Sequence, residues 1–283
     1  MVLESLIKPK LAESRPSKMF FYGLLYASIA VILSLWIFQD QASMIMVFLT
    51  VLACVPLVYR ALIMEEKKDL QIKTEVRILQ EHGKLLKFLM YLFLGFVIAF
   101  SVWFIVLPGS MVQSLFSTQL HTISAINNQV TANATNNTSF LGAIVLNNMK
   151  VLFFCLFFSF FYGAGAIFIL TWNASVIASA IGTFVKIEIE RYAATAGLIK
   201  FAGYMHILSL GVIRYMTHGL FEILAYFIGG LAGGLISVAV MRHDFGSEKF
   251  KIIMRDVLVL IAIAAVILIM AGLVEVYITP SLT

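Results

Sequence analysis

The stretch LLKFLMYLFLGFVIAFSVWFIVL, residues 85–107, carries one charge, Lys87, in twenty-three residues, and Pro108-Gly109 follows at once. At about 1.5 Å per residue, roughly 20 apolar residues in a helix cross the ~30 Å hydrocarbon layer of a bilayer. The stretch does not alternate apolar and polar residues as a membrane strand would. It therefore reads as a spanning helix, with the Pro-Gly pair as its stop. The rest of the chain is of the same kind. Of 283 residues, 61% are hydrophobic and 12% charged, with mean hydropathy +0.98, whereas soluble domains carry roughly 25% charged residues. The expected fold class is all-α: a polytopic integral membrane helical bundle of about six to seven spans.

Toward the N-terminus, two further spans are expected at about residues 19–38 and 43–63, joined by the tight QDQAS linker, with Pro56 inside the second. Lys8, Lys10, Arg15 and Lys18 precede the first apolar run, and no small-residue cleavage site closes it. It is read as an uncleaved span with a cytoplasmic N-terminus. MEEKKDLQIKTEVRILQEHGKLLKF then mixes charges with apolar positions at helical spacing. This predicts a solvated continuation of the second span that turns near Gly83.

Toward the C-terminus, residues 109–141 contain no Lys, Arg, Asp or Glu. Val112, Leu115, Phe116, Leu120, Ile123 and Ile126 recur at helical spacing and predict a short amphipathic helix in the interface of an external loop. Acceptor sequons for N-glycosylation fall at Asn133, Asn136 and Asn137. An aromatic span is expected over residues 142–172, with Gly163 and Gly165 allowing another helix to approach. Residues 173–202 hold Lys186, Glu188, Glu190, Arg191 and Lys200, and the apolar run 203–241 is too long for one crossing. Counting positive residues as cytoplasmic places 186–200 and 242–255 inside. The run between them must then enter and return, as an inward piece at 203–215 and a return helix at 217–241 with Gly219 near the joint. A broken or re-entrant segment around 173–216 follows, with the last span at 254–278. Two regions are expected: an N-terminal hairpin with its cytoplasmic extension, residues 1–84, and a transmembrane region, residues 85–283.

Chemistry-bearing residues concentrate at that joint. Arg214, His218 and Glu222 stand at i, i+4 and i+8, one stripe of a continuous helix. An arginine at the centre of a span costs roughly 2.5–3.5 kcal/mol, so the stripe should face the protein interior. It reads either as a structural polar clasp or as a proton, ion or substrate site. A divalent metal would find ligands in His218 and Glu222, with His206 as a third if the chain folds back and Glu275 as another candidate. Asn147, Asn148 and Asn173 add amides in apolar surroundings, as helix caps or as the lining of a site. Gly229, Gly230, Gly233 and Gly234 give overlapping small-residue pairs for close helix packing. Cys54 and Cys155 lie in apolar runs without zinc spacing. The net charge of +5 has no nucleic-acid motif beside it.

Taken together, Asn147-Asn148 opening an aromatic span, Gly163 and Gly165 within it, the WNA exit at Asn173, and THGLFEILAYFIGGLAGG at 217–234 resemble the stage II sporulation protein M family. The H-G-x-x-E-x-x-A core, His218 to Ala225, is its most specific part. Thr217 stands where the family pattern would have proline. The first two spans look like the added hairpin of archaeal members. The resemblance implies a shared core of His218, Gly219 and Glu222. It also implies kinship with bacterial scaffolds that recruit cell-wall-degrading partners. The expected function is therefore a multi-pass cell-membrane scaffold or anchor, leaning non-enzymatic, with the lipid bilayer, protein partners and a homo-oligomer as its associations. A transporter or channel-like protein is the first alternative, and an intramembrane metal-dependent hydrolase the second. No cofactor is expected apart from a divalent metal at His218, Glu222 and His206 under the last reading.

Overall fold

The computed structural model describes residues 16–72, 75–133, 137–159, 164–191, 197–242 and 246–277; of these, the side chains of 69, 75–76, 126–133, 137–140, 159, 164–166, 190–191, 197–218 and 242 lie outside the description. The described residues form helices throughout: α1 Ser17–Ile37, a 3-10 turn Gln39–Gln41, α2 Ala42–Gln71, α3 Glu75–Val106, α4 Gly109–Asn133, α5 Asn137–Ser159, α6 Ala164–Arg191, α7 Gly197–Arg242 and α8 Glu248–Tyr277. All of these except α4 and the 3-10 turn are long and apolar enough to cross a membrane, which gives seven spans.

Contacts fix the direction of each span. Gly23 meets Gly95 and Leu92, and the Trp103 indole donates to Ser28 Oγ at 3.1 Å, so α1 and α3 run parallel. Gly182 packs on Phe104, and Lys186 Nζ donates to the Leu107 carbonyl at 3.1 Å, so α6 also runs with α3. Asn148 meets Glu222 and Tyr226, and Leu152 meets Gly229, so α5 and α7 are parallel to each other. Gly272 near the end of α8 faces Val145 near the start of α5, which makes α8 antiparallel to both. The seven spans thus alternate in direction along the chain. One face of the bundle holds the end of α2, the start of α3 and the start of α8, where Glu65, His82 and Asp256 meet. The opposite face holds the 3-10 turn, α4, the end of α6 and the end of α8.

This arrangement corrects three expectations. The apolar run 142–172 is not one span but parts of two, α5 and α6. α5 ends at Ser159 and α6 begins at Ala164, and a run of some thirty residues exceeds what one crossing needs. Residues 186–200 were placed opposite the 109–141 loop. The bond from Lys186 to Leu107 puts the end of α6 on the same face as that loop. There the ammonium caps the exposed carbonyl end of α3 and lies 5.5 Å over the Phe104 ring. Finally, Gly197–Arg242 is one helix of 46 residues, with no break at 216–219. Glycine in a helix costs only about 1 kcal/mol, so Gly219 does not compel a joint. At about 1.5 Å per residue α7 is roughly 69 Å long, more than twice the bilayer core, and only Gly219–Met241 meets the criteria of a span.

Two smaller differences concern the charged hairpin and the external helix. α2 ends at Gln71 and α3 begins at Glu75, so the helices change before Gly83, which lies exposed inside α3. α4 is amphipathic as its spacing requires, but it is anchored rather than floating. Val112, Leu115 and Phe116 are buried, and Gln119 Nε2 donates to Ser175 Oγ on α6 while Ser43 Oγ on α2 donates to Gln119 Oε1. The backbone kinks at Phe116.

The core follows the rules of packing in lipid. Helices there gain no hydrophobic force against each other, so small residues that permit close approach carry the contacts. α7 is the central element: 83% of its span is buried, against 17% for the span in α5. Gly229 lies against Leu152 and Cys155, Gly234 against Leu62, and Gly233 is buried. Gly230 lines a small apolar cavity with Phe227, Val58, Leu62 and Ile167.

Candidate functional site

The site is built where α5, α7 and α8 meet. Glu222 lies near the start of the α7 span. Its Oε1 accepts from Asn148 Nδ2 at 2.5 Å, and Asn148 Oδ1 accepts from the Tyr226 hydroxyl at 3.0 Å. Tyr226 is one helical turn after Glu222, so the two share a stripe of α7, and Asn148 bridges them from α5. Asn148 is 5% exposed and Tyr226 3%. Glu275 follows Gly272 on α8, which packs against Val145 at the start of α5, and so stands toward the same end of the bundle. Glu222 and Glu275 thus stand toward one end of the bundle, with the Asn148 amide of α5 and the Tyr226 phenol of α7 beside Glu222.

The expected residues divide clearly. Asn148 and Glu222 are brought together. Asn147 is not part of the site, because it points to the exposed side of α5. Neither asparagine caps a helix, since α5 already starts at Asn137. Asn173 is also interior to a helix, and its amide donates to the Ile169 carbonyl at 2.8 Å, a bond within its own turn. Continuity of α7 places Arg214, His218 and Glu222 on one helical stripe. The side chains of Arg214, His218 and His206 lie outside the described residues, as do Gly163, the side chain at Gly165 and the sequons at Asn133, Asn136 and Asn137. Among the described residues no group of three His, Cys, Asp or Glu is spaced to hold a metal ion. Cys54 and Cys155 are buried free thiols.

Sequence reasoning missed Tyr226, whose phenol looks like one more aromatic residue in an apolar run. It also missed a second polar centre at the other face. His82, 1% exposed, lies between Glu65 on α2 and Asp256 on α8. Glu65 and His82 come from the segment that reads as a solvated charge run, and Asp256 from the start of the last span. The available signal was helical register: Glu65 falls on the same face of α2 as the buried Leu62, Ala61 and Val58.

A multi-pass, all-helical membrane protein is the class that the fold defines. The family model for stage II sporulation protein M matches residues 85–280, and the chain belongs to that family. It is also similar to an uncharacterized protein of Methanocaldococcus jannaschii, 26% identical over 167 residues, which cover 58% of this chain and 84% of the relative. No solved structure gives a significant match.

Proposed function

We propose that this protein is a non-catalytic membrane scaffold. In this reading the buried Asn148–Glu222–Tyr226 chain clasps α5 to α7, and the N-terminus is cytoplasmic with α4 on the outer face. The observation that carries it is the hydrogen bonding of the buried core. Glu222 receives the Asn148 amide, whose carbonyl is in turn occupied by Tyr226, so these groups are spent on joining helices. Paired buried polar groups of this kind specify an arrangement of helices at little net cost.

A second reading rests on Glu275. Two carboxylates at one end of the bundle offer oxygen ligands to a cation, as a transport site would. One experiment separates the two. Purified protein in sealed vesicles is tested for H⁺, Na⁺ and K⁺ flux beside Glu222→Gln. The scaffold reading expects flux equal to that of empty vesicles for both proteins. Flux that is present in the natural sequence and lost in Glu222→Gln would replace it with the transport reading. Photo-crosslinking from Ser117 and His121, exposed on α4, is expected to give a defined protein adduct in native membranes.

A further inference from the structure

The second polar centre carries an inference of its own. His82 Nδ1 lies 3.0 Å from Glu65 Oε2, and its Nε2 lies 2.7 Å from Asp256 Oδ2. A neutral imidazole has one N–H and one lone pair. Two carboxylate oxygens facing the two ring nitrogens need two donors. The arrangement therefore holds one proton more than a neutral ring would supply.

The charges agree with that count. Lys68 Nζ is 2.7 Å from Glu65 Oε1. Glu65 and Asp256 contribute two negative charges, and Lys68 with a doubly protonated His82 contributes two positive ones. Without the ring proton, these four groups together would carry a net negative charge, around side chains that are 0% and 1% exposed for Glu65 and His82. Desolvated charge of that kind is costly. The neighbouring ionisable groups have their own engagements. Glu81 pairs with Lys68 at 3.2 Å and with Lys84 at 2.5 Å. Tyr59, Arg60 and Glu66 on α2, and Arg255 on α8, also make interactions of their own.

The position gives the centre its meaning. Glu65 and His82 precede residue 85, where the family match begins, while Asp256 lies within it. We propose that Glu65, His82 and Asp256 form a proton-dependent lock that fastens the end of α2 and the start of α3 to the last span. With the ring doubly protonated, His82 donates to both carboxylates and the three helices are tied. When the ring proton is lost as pH rises, one nitrogen turns a lone pair toward a carboxylate oxygen, and the tie between α2 and α8 opens.

The test uses the full chain in lipid nanodiscs. Spin labels are placed at Lys67→Cys on α2 and Lys249→Cys on α8, both exposed positions, with the native cysteines buried. Distance distributions are recorded from about pH 6 to about pH 10, a range that starts near the free imidazole value of about 6.5. The expected result is one distance at the acidic end and a second, longer one that becomes the majority at the alkaline end. His82→Gln and Asp256→Asn should each show the longer distance at every pH. A single distance at all pH values in the natural sequence overturns the lock, and so does a pH response that survives in His82→Gln. Should those variants fail to fold, ¹⁵N-histidine NMR of the natural sequence near neutral pH decides the matter. Imidazolium signals from both nitrogens of a slowly exchanging ring are expected, and a neutral tautomer in their place overturns the proposal.

Discussion

Asn148 is where a small change should tell most about the family core. Its amide donates to Glu222 and its carbonyl accepts from Tyr226. Asn148→Ala removes both bonds at once and leaves a half-buried carboxylate and a buried phenol short of a partner. Each such orphan costs about 1–3 kcal/mol. Tyr226→Phe removes one donor only and should cost about 1 kcal/mol. Thermal unfolding in detergent should rank the natural sequence above Tyr226→Phe, and Tyr226→Phe above Asn148→Ala. The double variant should show less than the sum, because the residues share one network. Equal stability of all four would remove the clasp. Metal analysis of purified protein, beside His218→Ala and Glu222→Ala, is expected to find no stoichiometric ion in any sample. An ion lost in both variants would put the hydrolase reading first. At this scale the sequence pointed to Glu222 and Asn148 because polar residues in apolar runs are conspicuous. Asn147 faces the exposed side of α5 and Asn173 bonds within its own turn, placements that a linear sequence does not display.

Among the elements, the α1–α3 crossing is the tightest contact between the hairpin and the rest. A Cβ on Gly95 would stand 2.9 Å from the Leu24 nitrogen and 3.0 Å from the Gly23 Cα. Backbone atoms cannot yield as a side-chain tip can, so Gly95→Leu must push the helices apart, at a cost of about 1–3 kcal/mol or more. Gly83→Ala is the control. It lies in α3, exposed, with nothing within 4 Å of a new Cβ, and should stabilise by about 0.5–1 kcal/mol through helix propensity and the unfolded chain. Chemical denaturation in mixed micelles would show the two variants moving in opposite directions. Helix existence was legible at this scale from hydropathy alone. Helix ends were not: α5 ends at Ser159 and α7 runs unbroken from Gly197 to Arg242, and hydropathy along an apolar run marks neither.

For the whole molecule, the alternation of seven spans makes a prediction that side-specific labelling can check. Cysteines introduced at Ser110 and Ile187, both exposed, should react with an impermeant thiol reagent from one side of the membrane. A cysteine at Lys84, also exposed, should react only from the other. Reaction of Ile187→Cys together with Lys84→Cys would restore the re-entrant topology and overturn the parallel packing of α6 on α3. That topology followed from counting basic residues, a rule that treats Lys186 as a solvated charge. In the folded protein its ammonium is satisfied by the Leu107 carbonyl and the Phe104 ring, and it needs no cytoplasmic water.

The sequence by itself determined that the chain lives in a bilayer, that it is helical, and which family it resembles. Those properties depend on the composition and spacing of residues along one strand of chain, where lipid leaves a helix as the economical way to satisfy the backbone. Only the tertiary structure decided where the helices end, which face each loop shares, and which charges are buried together. Glu65, His82 and Asp256 are far apart in sequence and individually unremarkable. Their chemistry exists only because α2, α3 and α8 pack against one another, and such packing in lipid is chosen by side-chain fit rather than by hydropathy.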